Sequence, residues 1–117
     1  MGLRIQKGEL TEATTPTATF NIMSGRNRPP EKIYLVYKCN ANIDSETLDI
    51  YGMPHGSSDY ATAVLVSQIT QAANADVIVD LSATLARACW KIKVVSGTLA
   101  ATEQTDLLML TWSDQYR

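Results

Sequence analysis

Apolar and polar residues alternate with a period of two along most of this chain, and hardly anywhere with the period of an amphipathic helix. Residues 3–10 set Leu3 and Ile5 against Arg4 and Gln6, the pattern of a half-buried strand, until Gly8 interrupts it. A polar connector closes on Pro16, which biases Thr15 toward extended backbone. Residues 17–23 place Ala18, Phe20 and Ile22 on one face and Thr17, Thr19 and Asn21 on the other. In 32–40, Ile33, Leu35, Tyr37 and Cys39 share a face opposite Tyr34 and Val36. Residues 47–51 turn Leu48 and Ile50 inward, and 76–81 form a short strand. The stretch 60–70 fits a helix with Leu65 and Ile69 on one side, but its β-branched density favours a strand. Ser82 begins a segment, 82–86, suited to one helical turn. The two clearest strands come last, 90–95 and 107–112, and they are expected to pair in one sheet. Trp90, Ile92, Val94, Leu108, Leu110 and Trp112 then fill the core, leaving Lys91, Lys93, Leu107 and Met109 on the opposite face.

Breakers separate these runs. Ser24-Gly25-Arg26-Asn27-Arg28-Pro29-Pro30 and Gly52-Met53-Pro54-His55-Gly56-Ser57-Ser58-Asp59 are loops. About eight short strands with closely spaced turns predict an all-β sandwich of jelly-roll type with antiparallel strands. No helical pattern between strands supports parallel βαβ units. At 117 residues the chain forms a single domain, 1–117, with 1–16 a candidate N-terminal arm.

Composition narrows the function. A net charge of −2 argues against nucleic acid as the main partner, because phosphate binding needs a basic patch. No apolar run reaches membrane-spanning length. The two cysteines, Cys39 and Cys89, fall inside strand patterns and read as small buried hydrophobes; a disulfide requires their strands to be adjacent.

Candidate chemistry is sparse. The one histidine, His55, sits in a loop with only scattered carboxylates near it, short of a metal site. Ser57, His55 and Asp59 lack a nucleophile elbow. Asp44, Glu46 and Asp49, or Asp76 and Asp80, are acids at turns and strand ends and so expected to be solvated. The glycines are isolated, so no phosphate loop is present. No enzymatic activity and no cofactor are expected. A carbohydrate-binding module remains an alternative, with Tyr51 and Tyr60 as surface aromatics flanking the His55 loop.

Several strands are apolar on both sides: Tyr34 and Val36 opposite Leu35, Leu107 and Met109 opposite Leu108 and Leu110, Val64 opposite Leu65. A sandwich buries one face of each sheet, so the surplus needs a cover from another copy or another protein. The expected partner-binding residues are Arg26, Arg28 and Lys32 in the basic loop, with Tyr34, Leu107 and Met109 on apolar faces.

The strand pattern, the Ala- and Thr-rich composition, and the late Trp-Lys-Ile-Lys-Val-Val-Ser-Gly-Thr followed by Leu-Leu-Met-Leu-Thr-Trp resemble the small β-sandwich virion proteins of tailed bacteriophages. The capsid decoration, or cement, proteins are the nearest type. The resemblance implies a homo-oligomer, with a trimer favoured, on the outer capsid surface, bridging major capsid subunits after synthesis in the host cytoplasm. A tail, baseplate or head-fibre component carries the same pattern.

Overall fold

The alternating runs all fold as strands. In the structure, a computed structural model, residues 2–22, 30–54, 63–83 and 89–113 are described. They hold β1 (Gly2–Leu10), β2 (Thr17–Asn21), β3 (Lys32–Cys39), β4 (Thr47–Pro54), β5 (Val64–Thr70), β6 (Asp76–Asp80), β7 (Cys89–Ser96) and β8 (Thr105–Ser113). The β-branched stretch after residue 62 is a strand, β5, not a helix. Ser82 lies in a turn, and the rest of the expected helical turn, from residue 84 on, lies outside the described residues.

Two four-stranded antiparallel sheets form a β-sandwich, in the orders β1-β8-β3-β6 and β2-β7-β4-β5. The pairing is nested: β1 with β8, β2 with β7, β3 with β6 and β4 with β5. This overturns the expected partnership of β7 and β8, which lie in different sheets. Their connection is no tight turn. It carries the buried Leu99, which bridges to Ala13 in the β1–β2 connection. That anchor takes the chain from one sheet to the other.

The faces of β8 are also reversed from expectation. Leu107 and Met109 are in the core, 2% and 0% exposed, while Leu108, Leu110 and Trp112 are half-buried on the outside. An apolar run on both faces carries no period, so its hydrophobicity cannot select a phase. The flanking threonines do: Thr105 and Thr111 are buried, and Thr105 Oγ1 donates to Gln71 Oε1 at 2.5 Å. Trp90 leaves the core for a different reason. Pairing with β4 steps from Met53↔Lys91 to Pro54↔Cys89, so Trp90 is the extra residue of a bulge. Cys89 takes the inward position, and Trp90 is half-buried with the Lys91 ammonium 4.3 Å from its ring centre.

Both sheets contribute to one core, in which Ile33, Leu35, Leu48, Ile50, Ile92, Val94 and Met109 are fully enclosed. Two glycines are fitted to it. A Cβ at Gly8 would lie 2.9 Å from Phe20 Cζ, and one at Gly52 would collide with Cys89 Sγ. At one end Gln71 ties the sheets together, donating to Ser96 Oγ at 2.9 Å while accepting from Thr105.

Candidate functional site: an apolar outer sheet face

Residues of odd number on β1 and even number on β8, β3 and β6 point away from the core. The registers place them in four rows across the sheet. The first holds Leu3, Trp112 and Lys32. The second holds Ile5, Leu110, Tyr34 and Asp80. The third holds Lys7, Leu108, Val36 and Ile78. The fourth holds Glu9, Asp106, Lys38 and Asp76. Apolar residues thus form a diagonal band from Leu3 to Ile78, with charges at its flanks and a wholly charged end row.

The band is open to solvent. Leu3, Ile5 and Ile78 are 58%, 54% and 68% exposed. Near Leu3 it sinks into a groove of about 350 Å³ lined by Leu3, Lys32, Tyr34, Leu110, Thr111 and Trp112. With a strand spacing of about 4.8 Å and a rise of about 3.4 Å per residue, the band covers roughly 300–400 Å². A contiguous apolar patch of that size on a small protein is often functional. The rim contributes little binding energy by itself: Lys38 and Asp76 are 3.9 Å apart and both well exposed.

The other sheet is different. Its outward rows read Thr17, Val95, Asp49 and Gln68, then Thr19, Lys93, Tyr51 and Leu65. Gln68 donates to Asp49 at 2.7 Å, and the Lys93 ammonium sits 5.2 Å from the Tyr51 ring centre. A cation over that ring competes with sugar stacking. Polar groups therefore predominate on one outer face, where Leu65 is nonetheless 49% exposed, and apolar groups on the other.

Of the residues expected to bind a partner, Lys32 and Tyr34 lie on the apolar face and line its groove. Leu107 and Met109 do not. Both point into the core, so the accessible residues of β8 are Leu108, Leu110 and Trp112. Arg26 and Arg28 lie outside the described residues, as do His55, Ser57, Asp59 and Tyr60. The sequence reading missed Leu3, Ile5 and Ile78 as members of this face. Their signal was the alternation itself, which groups Leu3 with Ile5 but does not say which side of the strand faces the core.

Among the described groups whose titration the fold displaces, Asp80 lies on this face, and the others lie in the core or at a turn. Burial pushes the Cys39 and Cys89 thiols up, and both are free and buried, so they stay protonated and shielded. Burial also raises Tyr37. Hydrogen bonds from the Ser82 backbone and hydroxyl hold Asp80 below the usual carboxylate range, which keeps it ionised. The Ala100 N–H does the same for Glu103. Among the described residues no three His, Cys, Asp or Glu side chains converge as a metal site. No protein-family model matches the chain, and no curated protein is significantly similar to it.

Proposed function

We propose that the protein is a structural virion component that binds the outer capsid surface as an oligomer and stabilises the shell by bridging major capsid subunits. The observation that carries the reading is the apolar outer face of β1-β8-β3-β6, set against the predominantly polar outer face of the other sheet. The nested strand pairing supports the jelly-roll arrangement expected from the strand pattern, and a small β-sandwich is what the resemblance to phage virion proteins implies.

Magnitudes favour an oligomer. Covering roughly 300–400 Å² of apolar surface at about 25 cal/mol per Å² contributes roughly 8–10 kcal/mol. Association costs about 4–15 kcal/mol, so one face alone binds weakly. Linking copies makes later contacts intramolecular and raises avidity by about 10²–10⁴.

The test is cosedimentation with shells that lack the protein, followed by thermal disruption of the shells with and without it. The reading predicts saturable binding and a higher disruption temperature. No binding to heads, or binding to purified tails instead, overturns the capsid assignment.

A further inference from the structure

We propose that the free edge of β1 pairs antiparallel with the same edge of a second copy, joining two sandwiches through one continuous eight-stranded sheet. A sheet edge exposes unpaired backbone donors and acceptors, and proteins usually blunt it with short strands, charges, prolines or bulges. Three of the four edges here are blunted. β6 spans only Asp76–Asp80, with an aspartate at each end. β2 spans only Thr17–Asn21, and its Asn21 carbonyl already accepts the Gln6 side chain. β5 carries a register shift against β4.

β1 is neither short, nor interrupted by proline, nor bulged, and its charges, Arg4, Lys7 and Glu9, are of mixed sign. It runs nine residues, Gly2–Leu10, without proline, in unbroken register with β8. Among the described residues, no backbone hydrogen bond outside that ladder involves it. It also carries Leu3 and Ile5, two of the most exposed large apolar residues.

The occupant is a second copy because the edge complements itself. Outward residues meet outward residues only when the two-fold axis passes through a residue position. Centring on Arg4 sets Arg4 against itself, and centring on Lys7 sets Lys7 against itself. Centring on Ile5 places Ile5 against Ile5 and Leu3 against Lys7. Centring on Gln6 places Ile5 against Lys7 and Leu3 against Glu9. Neither of these two registers opposes like charges, and each covers Leu3 and Ile5 with a neighbour's side chain.

This deepens the proposed function and rests on it for its purpose, though not for its geometry. Pairing at β1 makes the two apolar faces coplanar, so the joint footprint is roughly 600–800 Å², close to one side of a standard protein interface at about 800 Å². It also implies an even-numbered assembly in place of the trimer.

The experiment is sedimentation velocity of the full chain, with a cysteine scan over positions 3–9 under mild oxidation. The native thiols are buried, so the introduced cysteine is the one that reacts. The expected result is a dimer whose cross-linking peaks at position 5 or 6 and falls on both sides. A monomer at every concentration, a trimer, or cross-linking that does not depend on position overturns the proposal. Ile5→Lys, at an exposed position, is expected to give a monomer with unchanged near-ultraviolet dichroism; a folded dimer overturns it. A dimer that ignores capsids sinks the capsid reading and leaves this pairing intact. A monomer that coats capsids does the reverse.

Discussion

Replacing Gln71 by Leu perturbs the polar clamp between the sheets without opening a large cavity. Gln71 is 1% exposed, and its carboxamide bonds both ways: Nε2 to Ser96 Oγ at 2.9 Å, Oε1 from Thr105 Oγ1 at 2.5 Å. In Gln71→Leu the Ser96 hydroxyl still donates to the Gly97 carbonyl at 2.9 Å. The Thr105 hydroxyl keeps only the Cys39 sulfur, 3.8 Å away. One buried hydroxyl is thus stranded, at a cost of about 2 kcal/mol. Thr105→Val leaves the Gln71 carbonyl with only the weak Cys39 thiol donor, 3.7 Å away, at a similar cost, about 2 kcal/mol. Together the two changes remove both partners, so the double variant is expected to lose only about 1–2 kcal/mol, not the sum of about 4. Urea unfolding of the four proteins measures the cycle, and each kcal/mol should also appear as about 4 °C in Tm. Single losses that add to within about 0.5 kcal/mol would show that the clamp does not couple the sheets.

Gly52→Ala is expected to cost about 1–3 kcal/mol, because the new methyl meets Cys89 Sγ; Cys89→Ala in the same chain should recover most of it in thermal unfolding. Cys39 and Cys89 should resist an aromatic disulfide reagent at pH 8 in the native protein and react fully in denaturant, since burial both shields the thiols and raises their pKa values. Asp80 titrates lower folded than unfolded, so its contribution is present above about pH 3.9 and lost as pH falls through the folded value. Asp80→Asn should therefore flatten the acid limb of stability against pH, and an unchanged limb would deny the Ser82 bonds that role.

Strand count and strand sites were legible because period-two alternation is local. All eight runs read from the sequence are strands, including the ambiguous one that became β5. Pairing was not legible, because nested partners such as β1 and β8 lie at opposite ends of the chain. Phase failed where apolarity is two-sided. Leu107-Leu108-Met109-Leu110 satisfies either face, and what decides is the reach of Thr105 to Gln71 across the core. Trp90 followed Ile92 and Val94 in phase, and a single bulge residue broke that rule. The candidate site inherited these errors. The surplus of apolar residues and the place of Tyr34 and Lys32 on an outer face were readable, whereas Leu107 and Met109, expected on the outer face, point into the core. Leu3 and Ile5 read as the apolar side of a half-buried strand, and nothing in their alternation marks β1 as an edge whose apolar side faces out.

Shell binding by two matched variants tests the apolar face most directly. Leu110→Asp puts a charge in the middle of the band, and Thr19→Asp puts the same charge on the exposed outer face of the other sheet. Binding to bare capsid shells is measured by cosedimentation, with folding checked by dichroism. The account predicts at least a tenfold loss of affinity for Leu110→Asp, a change of about 1.4 kcal/mol or more, and near-native binding for Thr19→Asp. Equal losses in both, or a loss confined to Thr19→Asp, would contradict it.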